Sequence, residues 1–375
     1  VAGPLKSPVG TESNRISVIQ WDSLRGHQQQ YEWFQTAVAQ NRLGSTFLFV
    51  GPHGIGKRTF ARLLAQSLLC RRGSSGRLQA CGVCEDCVQV RASTHPDLIE
   101  IFKPKDKSEM PLELLIGSAE KRMREGLCYE ISLKPFSGRK KIAIVDDADT
   151  LNSEGANALL KTLEEPPEDS LLILIGSSLQ RQLPTIRSRC QTVLFRPLGD
   201  KDLAQLLLEQ HLASAADDAT LLAAASEGSL SEARQLSDPH LIEFREHLLS
   251  QLTQQPVDFI ELCKTCSTQA ESAGKDARLK RDRLKWILRY AGNFYRRMVW
   301  MLMAGTTQAH QCPGADDPQL TAAAAKALGQ WPGGAIGALN CWRTCLLAVE
   351  QVDRNANQTS LLHAWSAKIS ELSER

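Results

Sequence analysis

Thr46-Phe-Leu-Phe-Val-Gly-Pro-His-Gly-Ile-Gly-Lys-Arg-Thr59 is the stretch on which the fold turns. Its first five residues are an apolar run of strand length, and Gly51, Gly54 and Gly56 then loosen the backbone. Lys57 opens a helical pattern that continues to about Leu69. Strand, glycine loop and helix in that order form a phosphate-binding loop, whose N–H groups cradle an anion while Lys57 reaches the β/γ-oxygens. The pattern asks for a hydroxyl directly after the lysine, to sit on Mg²⁺, and this chain has Arg58 there. Thr59 does not substitute, because one residue further on is about 100° around the helix.

Working outward, a helix is predicted around Tyr31, Phe34, Ala37 and Val38. Further buried strands are predicted at 98–102, 141–145, 171–175 and 192–195, with helices at 111–124 and 153–165. The last of these helices stops at Pro166-Pro167, since proline excludes the α conformation from the residue before it. Strands alternating with helices imply a parallel sheet covered on both faces. After Pro197 the strand signal ends. Residues 200–237 read as two or three short helices and 240–372 as longer ones, with a loop at 305–318.

Strand 141–145 finishes in Asp146-Asp147, the Walker B arrangement in which an acid holds the metal shell. Asp147 stands where many such ATPases carry a glutamate that orients water. One methylene less leaves its carboxylate roughly 1.5 Å short, a misplacement worth about 10²-fold in rate. Arg189, in Arg187-Ser-Arg-Cys190, is the candidate arginine finger, a cation offered to a neighbouring subunit's phosphoryl group. Cys81-Gly-Val-Cys84-Glu-Asp-Cys87 gives three thiols at two-residue spacing, and Cys70 lies upstream. Four thiolates close a tetrahedral structural zinc site with no open position.

Other clusters read more plainly. Cys263/Cys266 and Cys341/Cys345 have helical spacing and belong to apolar faces. The basic run 275–285 leads into Trp286, Tyr290, Phe294 and Tyr295, a pairing that nucleic-acid binders also show. Yet Ile287, Ala291, Phe294 and Met298 make a core stripe, which puts the charges on a solvated face.

A chain of 375 residues with net charge +2 has no global field for nucleic acid or membranes. No apolar run approaches the ~18 residues of a transmembrane span. Residues 1–15 read as a disordered lead-in, and the polar stretch from Val1 to Gln20 has no secretory pattern. Eleven cysteines in a chain of this size argue for a reducing compartment, with cytoplasm expected.

Several motifs together carry a resemblance over about residues 16–237. They are the glycine loop, the cysteines opened by Leu68-Leu-Cys70, Thr94-His-Pro-Asp97, Asn157-Ala-Leu-Leu-Lys-Thr-Leu-Glu-Glu-Pro-Pro167, and Arg187-Ser-Arg-Cys190. The chain resembles the clamp-loader subunits of bacterial DNA polymerase III, most closely the delta prime type. The resemblance implies an α/β P-loop AAA+ domain over 16–197 with a parallel sheet and an inserted zinc knuckle at about 70–87. It further implies a small helical lid at 198–239 and an all-α collar domain at 240–375 that joins a hetero-pentameric ring with gamma/tau and delta. That ring opens a sliding clamp and loads it onto primed DNA in the cytoplasm, at the nucleoid.

In the gamma and tau motors a threonine follows the loop lysine, a glutamate follows the Walker B aspartate, and a sensor arginine sits in the lid. Here those places hold Arg58, Asp147 and Ser231. Losses on the accepting side beside an intact Ser188-Arg189-Cys190 imply a subunit that donates a finger and does not itself fire. The alternatives are an active gamma/tau-like ATPase and a zinc-stabilised DNA-binding module. Whether ATP and Mg²⁺ enter the loop stays open at this level, since Arg58 can replace the metal or fill the site.

Overall fold

The computed structural model describes Trp21 and residues 24–374, apart from residues 75, 105, 106, 108, 238, 275–276, 305–316 and 355. The expected lead-in at 1–15, most of the loop at 305–318 and the first residues of the basic run lie outside these. Contacts divide the chain into two compact units. The first holds Val1–Val50, Gly56–Lys103 and Glu109–Phe195; the second holds Gly51–Ile55, Pro104–Ser108 and Arg196–Arg375.

The first unit is built on five parallel strands, β1 (Thr46–Val50), β2 (Leu98–Ile101), β3 (Lys141–Val145), β4 (Ser170–Gly176) and β5 (Gln191–Leu194). Their order is β2-β3-β4-β1-β5, so β4 separates the strand that feeds the glycine loop from the one that ends in the acids. Strands β3 and β4 are buried along their whole length, as unbroken apolar runs covered on both faces must be. Helix α1 (Gln28–Ala39) precedes β1, and α2 (Lys57–Leu69), α3 (Glu85–Arg91), α4 (Leu112–Ile116), α5 (Leu127–Ser132), α6 (Ser153–Glu164) and the short α7 (Pro184–Arg187) lie between the strands.

One face of the sheet carries an aromatic cluster. Phe34 of α1 meets Phe47 and Phe49 of β1 and Phe60 of α2, at centroid separations of 5.1, 5.8 and 5.6 Å. The pairs with Phe47 and Phe49 are edge-on, an arrangement that contributes about 0.5–1.5 kcal/mol beyond the area buried. The other face packs Leu48, Val145, Leu172 and Leu174 against Leu115, Leu159 and Ile186. At the rim, Phe195 N donates to Val50 O at 2.7 Å, which turns the Leu194 carbonyl outward. Gln30 Nε2 of α1 donates to that carbonyl at 2.7 Å.

The helix expected at 111–124 is instead α4 followed by a 3-10 turn at Ala119–Lys121. Gly117, at φ +83°, ends α4, and a Cβ there would come within 2.8 Å of the Lys121 carbonyl. The chain resumes as α5, which the sequence reading did not contain.

In the second unit, α8 (Asp200–Glu209), α9 (Ala216–Ala225) and α10 (Leu230–Leu236) share a small core through Leu203, Leu207, Ala219, Ala223 and Ala233. Among the described residues six longer helices follow: α11 (Pro239–Leu252), α12 (Phe259–Glu271), α13 (Ala277–Ala304), α14 (Pro318–Leu328), α15 (Gly334–Asp353) and α16 (Gln358–Glu374). Ile287, Ala291, Phe294 and Met298 of α13 are fully buried, as the stripe predicts, and Trp286, Tyr290 and Tyr295 are buried with them. Basic side chains on this helix form ion pairs, among them Lys285 with Asp353, Arg289 with Glu232, and Arg296 with Glu227. Cys263, Cys266, Cys341 and Cys345 are all buried in this helical core. Among the described residues no helix is long and apolar enough to cross a membrane.

Candidate functional site

The glycine loop leaves β1 and enters α2 with Gly54 at φ +75° and Gly56 at φ +103°. Only glycine takes such angles without steric cost, so the backbone shape that the sequence implies is present. Gly56 is the residue immediately before α2, and Lys57 is its first helical residue. Lys57 is buried, and burial pulls its ammonium down to about 8 against the upward pull of Asp146, Asp149 and Asp147. Thr59 is half-buried one residue beyond Arg58.

Within the second unit, the loop tip is tightly covered. Leu230 N donates to Gly54 O at 3.1 Å, and a Cβ on Gly54 would meet Ser231 Cβ at 2.6 Å. Ser231 is thus packed onto the glycine that it approaches, and Gly54 serves close approach as well as loop geometry.

Arg58 turns toward the acids. Its Nη1 lies 3.8 Å from Asp146 Oδ2 and its Nη2 3.9 Å from Glu100 Oε1, while the guanidinium sits 5.4 Å from the centre of the Phe102 ring. Arg62 Nη1 also meets Glu100, donating at 3.0 Å to Oε2. Burial pushes the Asp146 carboxyl up, as does Asp147, and Arg58 opposes them. Asp147 takes φ +56° and opens a 3-10 turn, with its N–H donating to Asp146 Oδ1 at 3.0 Å. A phosphate-bound Mg²⁺ is ordinarily held here between a hydroxyl and an acid; in this chain the hydroxyl's place carries the guanidinium that faces the acid. Glu100 is a partner that the sequence reading missed, because only the sheet brings β2 to this place.

Asp149 is a second missed residue. Its carboxylate accepts from Ser177 N at 2.6 Å just past β4 and from Gln182 Nε2. It ties the end of β4 to the segment after β3.

The four cysteines do come together. The Sγ atoms of Cys70, Cys81, Cys84 and Cys87 all lie within 4.8 Å of one another. Cys70 and Cys84 are 3.8 Å apart and Cys81 and Cys87 4.0 Å, close to the edge of a tetrahedron with ~2.3 Å metal–sulfur bonds. Backbone N–H groups of Val83 and Cys84 hold the Cys81 thiol down to about 6, whereas burial pushes Cys87 up. Donor type, number and spacing fit a structural zinc ion.

Around this cluster the Thr94-His-Pro-Asp97 stretch acquires a physical role. Arg71, next to Cys70, grips Asp86 of α3 through Nε at 2.8 Å and Nη2 at 2.8 Å. His95 Nε2 lies 3.7 Å from the same carboxylate, and its Nδ1 accepts from Asp97 N at 3.0 Å. Asp97 is fully buried and accepts from Phe136 N at 2.7 Å and Ser137 N at 2.8 Å. The stretch therefore links the cysteine insertion to the turn that precedes β3.

Arg189 stands apart from the acids, beyond α7, with its side chain about one-third exposed. Its carbonyl accepts from Thr46 Oγ1 of β1 at 2.9 Å, and its guanidinium meets Glu164 at the end of α6.

In comparison with known proteins, residues 26–199 match the model of the family described as DNA polymerase III, delta subunit. The DNA polymerase III subunit delta' of Bacillus subtilis is 36% identical over 174 residues, covering 46% of this chain and 49% of that protein. The subunit delta' of Pseudomonas aeruginosa is 37% identical over 166 residues, 43% of this chain and 47% of the other. The subunit tau of Escherichia coli is 35% identical over 206 residues, 54% of this chain and 30% of tau. The chain thus spans about half the length of the delta' relatives and less than a third of tau.

Proposed function

Taking residues 26–199 as a segment of the delta prime-like clamp-loader family, we propose that the chain is a stationary subunit of a DNA polymerase III clamp loader. In this reading it occupies a ring with gamma/tau and delta subunits, helps load a sliding clamp onto primed DNA, and does not turn over ATP itself. The observation that carries it is Arg58 facing Asp146, a cation where a motor would hold its metal between hydroxyl and acid. Residues 16–197 act as the AAA+ domain, 198–239 as its lid and 240–375 as the collar.

Arg189 supplies the function on the donating side. It offers its guanidinium to a neighbour's γ-phosphoryl group, where charge develops during transfer. The cysteine quartet holds zinc, which cross-links the insertion between α2 and β2 and keeps that loop-rich segment ordered. The ion contributes no chemistry to the phosphates.

The similarity to tau favours one second reading, a motor that tolerates Arg58. Equilibrium binding of a fluorescent ATP analogue, with and without Mg²⁺, separates the two. The stationary subunit shows no Mg²⁺-dependent binding and no turnover. Tight Mg²⁺-dependent binding that Lys57→Ala abolishes would replace it with the motor. For the donating role, Arg189→Ala in the rebuilt ring leaves assembly intact and slows ATP turnover, by about 10³-fold on the scale of other arginine fingers. An unchanged rate would remove that role.

A further inference from the structure

Every nitrogen of the Arg189 guanidinium already has a partner inside this chain. Nε donates to Glu164 Oε1 at 2.6 Å, and Nη2 lies 2.5 Å from the same oxygen. Nη1 donates to the Thr185 carbonyl at 3.0 Å and to Ser188 Oγ at 3.1 Å. Glu164 is the last residue of α6, where a carboxylate opposes the helix dipole and a cation is favoured. The arginine thus relieves an unfavourable charge at that terminus.

The backbone beneath it is fixed separately. Arg189 N donates to Ile186 O at 3.1 Å, and its carbonyl is held by Thr46. Movement of the guanidinium is therefore a side-chain event on a stationary base, of the fast kind open to partly exposed residues.

We infer that Glu164 is a positioning residue that parks the finger, holding Arg189 retracted until a neighbour's phosphoryl group outcompetes its carboxylate. The inference rests on the donating role proposed above. The Glu164 side chain is half exposed and its pair with Arg189 is screened, so the hold is modest. A phosphoryl group with more than one negative charge and several acceptor oxygens outcompetes it once aligned. In an isolated chain, or beside an empty neighbour, the guanidinium is engaged by Glu164 for most of the time.

The test uses a clamp-loader ring rebuilt with the full chain as wild type, Arg189→Ala, Glu164→Gln and Glu164→Asp. Glutamine keeps the size and an acceptor but removes the charge. With parking, Glu164→Gln raises kcat for ATP about two- to five-fold at unchanged KM, the range expected for losing a surface ion pair. Glu164→Asp stays near wild type, and Arg189→Ala is slow. If Arg189→Ala is slow while Glu164→Gln matches or falls below wild type, parking is wrong and the finger stands. If Arg189→Ala runs at the wild-type rate, both are wrong. On the isolated chain, the Arg189 Nε–H resonance gives a direct check, with matched thermal midpoints showing that the variant folds. It shifts and exchanges faster with solvent in Glu164→Gln, and an unmoved signal overturns the inference.

Discussion

The guanidinium of Arg58 and the carboxylate of Asp146 face each other at 3.8 Å, on the two segments between which a magnesium-dependent phosphate site would hold its ion. A hydroxyl-bearing side chain at 58 would leave Asp146 without its nearest cation other than Lys57. Arg58→Thr is therefore expected to bring about a tenfold or larger gain in ATP affinity that depends on Mg²⁺, equivalent to about 1.4 kcal/mol. Titration of a fluorescent analogue into wild type and variant, each with Mg²⁺ or with EDTA, reads this directly. Equal, weak binding in all four arms would mean that the cover on Gly54, not Arg58, closes the loop.

Zinc content is the next measurable quantity. Elemental analysis of the purified chain is expected to give one zinc per molecule, and Cys84→Ser to lose it. Loss of the ion is expected to lower the unfolding midpoint by about 5–10 °C, the shift that 2–3 kcal/mol produces in a domain of this size. Protons compete with the metal for thiolates. All four thiolates must stay deprotonated to bind, so zinc release is expected to rise steadily as pH is lowered. A metal-free chain with an unchanged midpoint would refute the structural role.

Asp97 and Asp86 give a pH signature of folding. Burial raises the Asp97 carboxyl, but the Ser137 and Phe136 donors and Lys141 more than offset it and leave it below the usual 3.8. Hydrogen bonding from Arg71 lowers Asp86 as well. The unfolded chain then binds more protons than the folded one in the acid range. Stability from these groups is complete above about pH 4 and lost as pH falls toward their folded values. Asp97→Asn is expected to cost roughly 2–4 kcal/mol at pH 7, since Lys141 Nζ, 3.7 Å away, keeps its charge but loses its nearest carboxylate. Denaturant melts at pH 7 and pH 3 check both the size and the flattening of the pH dependence.

Phe34 tests the aromatic face of the sheet. It is fully buried among Phe47, Phe49 and Phe60 on two different elements, so truncation leaves a cavity that no single neighbour can fill. Phe34→Ala is expected to cost about 3–5 kcal/mol by chemical denaturation. A loss below 1 kcal/mol would mean that the cluster repacks.

The strands were legible because parallel, doubly covered strands are written as continuous apolar runs, as in Leu171–Ile175. The cysteine quartet was legible because metal-ligand spacing is local. The helix at 111–124 was misjudged because Gly117 needs its positive φ for a tight approach to Lys121, a demand that periodicity does not display. The partners of the named site residues were the least visible part. Glu100 reaches Arg58 only through the pairing of β2 with β3, and Glu164 reaches Arg189 across 25 residues of chain. Both glutamates look like ordinary surface charge in the sequence. Their significance depends on which strands and helices become neighbours.

The hydrogen bond from Gln30 to the outward carbonyl of Leu194 also bears on how the chain behaves in a crowded solution. An outermost strand with open acceptors is a template on which another chain's backbone can polymerise. Here the chain's own α1 occupies an acceptor on a strand only four residues long. Growth of cross-strand aggregates from that rim is thereby discouraged, and the β5 side of the sheet can remain at the surface without acting as a seed.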